Sequence, residues 1–283
     1  MALPPTLHSL RRQPLALLGL GLVLGLGLLA IAAPWLAPHD PLQVQLGPAH
    51  SPPGARFLLG TDAVGRDCLS RLLYGGRVSL PLGLLAVAVA AGLGTTLGAL
   101  AGFFGGWVDK GITWFTDLFL ALPRLVLLLA VLAVASQVHH GRFLLVALVL
   151  GLTGWMPVAR IVRSQVLSVQ ARPWVLAARG LGLPPSRILL RHVLPWALPP
   201  VMVHASLLVG TTILAEAALS FLGLGVPQPT PTWGNMIAEG MRRLDSWWLT
   251  VFPGLAITAA VVGFNLLGDG LRDLLAQPRE NRP

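Results

Sequence analysis

Long apolar runs broken by short polar segments set the pattern of this chain. Leu15 to Trp35 and Val78 to Val108 contain no formal charge. Four more apolar stretches follow: Asp117 to Val138, interrupted early by Pro123 and Arg124; Phe143 to Ala159; Val193 to Ala215; and Ser246 to Gly268. About 20 apolar residues in a helix cross a bilayer core, so each run is a candidate span by length. Lipid offers no hydrogen bonds to an exposed backbone, so the pattern predicts helices rather than strands. The expected fold is all-α, a polytopic bundle of about six transmembrane helices.

Composition agrees with this pattern. Hydrophobic residues make up 54% of the 283 residues and charged residues 11%, whereas a soluble domain carries about 25% charge. That is too little polar surface to cover a soluble core, so lipid is the expected outer solvent. The formal charge of +9 does not point to nucleic acid, because the arginines lie between apolar runs and form no continuous basic face. It fits topology-setting charge and anionic headgroups. Cys68 is the single cysteine, which excludes a disulfide framework within the chain and a Cys metal cluster.

The first run has a competing reading. Arg11 and Arg12 precede it, and Ala30, Ile31 and Ala32 resemble the small-residue cleavage site of a secretory leader. Its apolar core exceeds the usual length of about 7–15 residues, so an uncleaved first helix is expected.

Lys and Arg set the expected orientation. With the N-terminus inside, thirteen basic residues fall on inner segments and seven on outer ones. The bias favours both termini in the cytoplasm. The segment from Arg160 to Arg191 decides it, with six arginines and no acid.

Three polar segments are long. Ala37 to Arg77 and Val226 to Asp245 are expected outside, the latter with an extended entry enforced by Pro227, Pro229 and Pro231. Arg160 to His192 is expected inside. Within it, Trp174 to Leu181 reads as a short helix, Gly182 as its C-terminal cap and Pro184–Pro185 as a stop. Ser186 suits an N-cap for a second helix from Arg187. The segment reads either as a basic connection or as a rigid lever that docks on a cytoplasmic partner.

Catalytic patterns are missing from the sequence. Lys110 is the only lysine and does not close a phosphate-binding loop. No zinc-helix or nucleophile-elbow pattern occurs. His139 and His140 are adjacent, so they point in different directions and read as polar residues at a span end. No catalytic, metal or cofactor site is expected. A membrane enzyme or scaffold would require convergent acids, bases or ligands within the spans, and none is evident.

Gly94, Gly98, Gly102 and Gly106 recur every four residues, which predicts a small-residue stripe for close helix packing or for a sliding contact. Glu216 stands near the end of the fifth span, shortly before Ser220. A charge at such depth faces protein or water, so these two are candidates for a structural hydrogen bond or an outer gate. Asp117 and Arg124 flank Pro123 and predict an interfacial bend.

Four blocks, in order, carry a family resemblance. Trp174 to Gly182 (WVLAARGLG), with His192 to Pro195 (HVLP), resembles the "EAA" loop of ABC importer permeases. Leu59 to Asp67 (LGTDAVGRD), with Ser70, Arg71 and Tyr74 to Arg77 (YGGR), is similar to the external segment of the C-type permease subunit of dipeptide and oligopeptide importers. Leu219 to Gly225 (LSFLGLG) with Trp233 and Gly234 is similar to the same subunit. So is Phe252 to Gly254 followed by Phe264 to Asp273 (FNLLGDGLRD).

The resemblance implies a permease that hydrolyses no ATP itself. It implies a heterodimer with a homologous second permease subunit, two cytoplasmic ABC ATPase subunits and an external substrate-binding protein. ATP-driven closure of the ATPases would draw the docked helices together and open the pore outward. The cargo implied is a di- or oligopeptide, with nickel or another small solute as the alternative. The implied organisation is an N-terminus and first helix over residues 1–36, an external segment over 37–77 and a permease domain over 78–283 with the coupling loop at 160–192. The coupling residues implied are Trp174, Val175, Leu176, Ala177, Ala178, Arg179, Gly182, Arg187, His192 and Pro195. Leu176 stands where the family often has Glu, which replaces an ion pair to the ATPase with apolar docking. His192 stands where the general pattern has Ile.

Overall fold

The computed structural model describes residues 13–135 and 141–276. Arg11, Arg12, the His139–His140 pair, Arg279, Arg282 and the last residues of the third expected span lie outside the described residues. Among the described residues twelve α-helices follow one another: α1 Pro14–Ile31, α2 Ala33–Leu36, α3 Cys68–Phe104, α4 Gly106–Leu120, α5 Arg124–Val134, α6 Arg142–Leu152, α7 Trp155–Gln170, α8 Pro173–Gly180, α9 Pro185–Arg187, α10 Leu194–Phe221, α11 Trp233–Gly240 and α12 Trp248–Ala276. A π-helical segment, Ile188–Val193, joins α9 to α10. Among the described residues the one β pairing is an isolated bridge between Thr61 and Asp67.

Four helices among the described residues are long and apolar enough to cross a membrane: α1, α3, the continuous stretch Pro185–Phe221, and α12. Two further crossings arise if each bent pair counts as one span. In these, α4 meets α5 at 88° and α6 meets α7 at 40°. The count is therefore four to six; the bend between α4 and α5 was expected at Pro123, and that between α6 and α7 was not.

Both breaks have a local cause. Pro123 occupies the N-cap of α5 with extended ψ, which ends α4 and turns the chain between Asp117 and Arg124, as expected. Pro157 in the first turn of α7 has no N–H to return to the Thr153 carbonyl, and its ring crowds that carbonyl. The chain opens at Thr153 and Gly154, and the Thr153 hydroxyl donates to the carbonyls of Val149 (2.9 Å) and Leu150 (3.2 Å). The π segment likewise stands just before Pro195, at the entry to α10.

Other expectations need correction. The helix α3 begins at Cys68 and runs 37 residues, about 55 Å at 1.5 Å per residue, so it outruns a bilayer core of about 30 Å. Residues 68–77 are thus its first turns rather than loop. Gly106 is not on the glycine stripe: α3 ends at Phe104, and Gly105 (φ +63°) and Gly106 (φ +56°) turn the chain into α4. Ser186 caps nothing. The helix after the Pro pair starts at Pro185, with Pro184 as N-cap, because a proline at the first helical position has the right φ and no N–H to waste. Residues 160–170 are the second half of α7, not loop. The Val226–Asp245 segment also holds a helix, α11, whose capping box pairs Thr232 with Asn235.

Packing rests on small residues. A Cβ at Gly98 would lie 2.9 Å from the Cα of Ala159, and one at Gly94 would lie 2.6 Å from the Trp155 carbonyl. At Gly102 it would come within 2.9 Å of the Arg163 carbonyl. The backbones of α3 and α7 therefore touch along three turns. A second close contact sets α1 on α12, where a Cβ at Gly19 would lie 2.8 Å from the Gly263 carbonyl. Leu18, Leu24, Leu28 and Ile31 of α1 point outward and are exposed, as suits a lipid-facing helix.

Gly98→Val is expected to overpack the α3–α7 contact and destabilise the protein by about 1–3 kcal/mol. Gly92→Ala, where a Cβ meets nothing within 4 Å, serves as the neutral control. Thermal unfolding in detergent checks both, and equal stability of the two variants would refute the contact.

Candidate functional site

The bundle has two structured ends. One carries α8. Pro173 starts this helix after the extended Arg172. A Schellman turn stops it: the Gly182 N–H donates to the Arg179 carbonyl (3.0 Å) and the Leu183 N–H to the Ala178 carbonyl (3.2 Å). Gly182 has φ +72°, the left-handed conformation expected of it as the cap. Val175 and Ala178 are buried, while Trp174, Leu176, Ala177 and Arg179 are exposed. Val175 joins the core cluster that includes Val166, Val169, Ile188 and Val193. Thus α8 lies fixed across the ends of α7 and the π segment and presents an apolar outer face, extended by Leu181.

Polar contacts tie α8 back to α3. Arg179 donates to the Gln170 side-chain carbonyl, and Gln170 in turn donates to the Gly102 carbonyl at 2.5 Å. The Arg179 guanidinium also lies 5.7 Å from the Phe103 ring centroid. The Trp174 ring stands 5.4 Å from Trp196. Arg187 is exposed, His192 is half-buried in the π segment and Pro195 opens α10. The ten residues expected in the coupling loop fall on one end of the bundle, spread over α8, its cap, α9, the π segment and the entry to α10. Two arginines placed in that loop instead pair across to α4: Arg163 with Asp109 (2.5 Å) and Arg160 with Asp117 (2.5 Å).

The opposite end is built from residues 37–67, the start of α3 and α11. Asp67 caps α3, accepting from the Ser70 N–H at 2.9 Å. The Trp248 indole donates to the Thr61 carbonyl at 3.0 Å. At its centre lies a buried group of charges that sequence reasoning did not find. Asp62 accepts from the N–H groups of Val64 and Arg66 (2.9 Å each) and pairs with Arg66 (2.5 Å) and Arg71 (3.4 Å). Glu239 of α11 accepts from the Ala63 N–H at 3.0 Å and approaches Arg66 (3.6 Å) and Arg71 (4.0 Å). Two cations meet two carboxylates, which makes burial of the group tolerable. The Asp62–Arg66 spacing was a visible signal, whereas Glu239 stands 177 positions beyond Asp62 and gave none.

Glu216 and Ser220 come together as a pair. The Ser220 hydroxyl donates to Glu216 at 2.7 Å, and both are buried. They lie under the first turn of α11, where a Cβ at Gly234 would sit 3.1 Å from the Glu216 carboxylate and 2.6 Å from the Cα of Ala217. Beyond them α10 ends in a second Schellman turn: Leu224 donates to the Leu219 carbonyl at 2.8 Å and Gly223 has φ +78°. Arg142 then donates to the Leu224 carbonyl at 3.0 Å, tying α6 to this turn.

Apolar helices long enough to span a bilayer, with a short helix packed across one end and a charge-locked cap at the other, define a polytopic membrane protein. Residues 94–280 match the family described as binding-protein-dependent transport system inner membrane component. The chain belongs to this family and is a multi-pass inner-membrane protein. Residues 6–53 match the N-terminal TM domain of oligopeptide transport permease C. The chain is 38% identical to the dipeptide transport system permease protein DppC of Alkalihalophilus pseudofirmus, over 94% of this chain and 87% of that one. It is 41% identical to the probable D,D-dipeptide transport system permease protein DdpC of Escherichia coli (94% and 88%). Against the oligopeptide transport system permease protein OppC of Bacillus subtilis the identity is 37% (94% and 86%). The family is one of transport components rather than catalysts.

Two outcomes follow. Gly182→Val places a β-branched residue at φ +72°, at a cost of about 1–2 kcal/mol. Hydrogen exchange should quicken across 173–183 while α3 and α12 stay protected. Glu239→Ala leaves Arg66 and Arg71 with one buried acid, and should lower stability by about 3 kcal/mol. The exposed Asp245→Ala should leave thermal unfolding unchanged.

Proposed function

We propose that this chain is one of two homologous permease subunits of an ATP-binding-cassette importer for di- and oligopeptides. The observation that carries the reading is the mounting of α8. Its inner residues Val175 and Ala178 are locked into the core, while Trp174, Leu176 and Ala177 face outward. A helix held this way transmits a push to α7 and α10 rather than absorbing it. The relatives at 37–41% identity are named for dipeptides and oligopeptides, which supports the cargo.

In this reading both termini and α8 are cytoplasmic. The thirteen-to-seven distribution of basic residues supports that orientation. Cytoplasmic ATPase subunits dock on the outer face of α8, and the external binding protein delivers peptide to the end formed by residues 37–67 and α11. Glu216 and Ser220 tie α11 to α10 beside the outer gate. Nucleotide-driven closure of the ATPases moves α8, and α7 carries the motion along its glycine contact to α3. The peptide biases the cycle only through its different affinity for the inward and outward states.

The test is uptake of labelled dipeptide by cells that depend on this transporter, with co-purification of the ATPases as a second readout. Leu176→Asp puts a charge on an exposed position and should abolish both uptake and co-purification while the protein still reaches the membrane. Retention of the ATPases by that variant would overturn the docking role of α8, and unchanged peptide uptake after gene deletion would overturn the cargo.

A further inference from the structure

A trough runs along the outside of the bundle between α1 and α3. Its apolar section, a cavity of about 560 Å³, is walled by Leu24, Leu28, Leu80, Leu84 and Phe264 among others. Leu84 and Phe264 also line a second apolar cavity of about 530 Å³, so the trough continues along the helices. At the other end Arg77 belongs both to the apolar section and to a mixed cavity of about 740 Å³, where His39, Asp40, Tyr74 and Thr230 stand among Pro34, Pro38, Pro41 and other apolar residues. The order along the surface is therefore apolar wall, Arg77, then Asp40.

The charges at the polar end are available. Arg77 is exposed, lies 5.5 Å from the Tyr74 ring centroid and makes no ion pair among the described residues. Asp40 is exposed, and among the described residues its carboxylate accepts only from the Leu42 N–H, at 2.8 Å. His39 turns toward Phe57, its ring 5.7 Å away, and its Nδ1, 3.7 Å from Asp67, is buried without a hydrogen-bond partner among the described residues. An arginine at the mouth of an apolar wall stands at headgroup level in a membrane.

We propose that this trough binds a zwitterionic glycerophospholipid with a primary amine in its headgroup. One acyl chain fills the apolar section, the phosphate meets Arg77, and the ammonium reaches Asp40. The sequence of chemistries in such a lipid is the sequence along the trough. A glycerol-headed anionic lipid satisfies Arg77 but leaves Asp40 without a cation. A quaternary amine brings charge to Asp40 but no N–H to donate. The proposal rests on the membrane location alone and not on the cargo.

The test uses the transporter purified intact from the membrane, stripped of lipid and titrated with defined phospholipids, with retained lipid read by native mass spectrometry. Phosphatidylethanolamine is expected to be retained roughly tenfold better than phosphatidylglycerol or phosphatidylcholine, the worth of one charge-assisted hydrogen bond. Arg77→Ala should lose retention of all three, and Asp40→Asn only the preference for the amine. Gly27→Leu fills the trough at a position where a Cβ meets nothing within 4 Å, and should lower retention with unchanged thermal unfolding. Equal retention of the three lipids by the unaltered protein, or full retention by Arg77→Ala, overturns the proposal. So does a Gly27→Leu protein that keeps its lipid but loses its partner subunits, since the trough is then a subunit contact.

Discussion

The close approach of α3 and α7 is the contact on which the rest of the architecture depends. Inside a membrane there is little hydrophobic drive to bring helices together, so they associate where backbones fit closely. Gly94, Gly98 and Gly102 supply that fit against Trp155, Ala159 and Arg163. The consequence reaches both ends of the bundle. The C-terminal end of α3 receives Gln170 at the Gly102 carbonyl, which positions α8. Its N-terminal end is capped by Asp67 and holds Arg71 in the buried charge group. A single helix of 37 residues thus connects the α8 end to the opposite cap. Close-packed helices do not deform continuously, so the two ends are mechanically linked through this contact in the proposed cycle.

The two ends solve different problems. The end with residues 37–67 encloses charge: Asp62, Arg66, Arg71 and Glu239 are almost fully removed from solvent. Breaking one member leaves an uncompensated buried charge, so this cluster specifies one arrangement of the cap, at the desolvation cost of four ions. The α8 end leaves apolar side chains uncovered and keeps its ion pairs, Arg160–Asp117 and Arg163–Asp109, more exposed. Exposed pairs contribute little and exchange readily with water. A locked cap and a free apolar face are what a subunit needs if one end is a frame and the other receives a moving partner.

Much of this was legible in the residues. Most of each charge-free run, Leu15–Trp35 and Val78–Val108, falls on one long helix, α1 as far as Ile31 and α3 as far as Phe104, because only a helix satisfies its own backbone in lipid. Gly182 stands at positive φ where a cap was expected, since the need for a left-handed residue is local and visible. The bend at Pro123 was likewise local. The break at Thr153–Gly154 had its signal in Pro157, but the apolar run around it hid the interruption. Gly106 illustrates the opposite error: spacing alone put it on the stripe, although the helix had already ended at Phe104.

By itself, the sequence determined which segments are apolar enough for lipid, where prolines and glycines interrupt them, and the order of motifs that marks the family. These depend on neighbours a few residues apart. The tertiary structure decided what depends on distant partners. It set Glu239 beside Ala63 and Arg66, folded α11 over Glu216, and laid Arg77 and Asp40 along one trough. It also decided which face of α8 is buried. Desolvation and close packing are properties of surfaces that meet, and no single segment contains both.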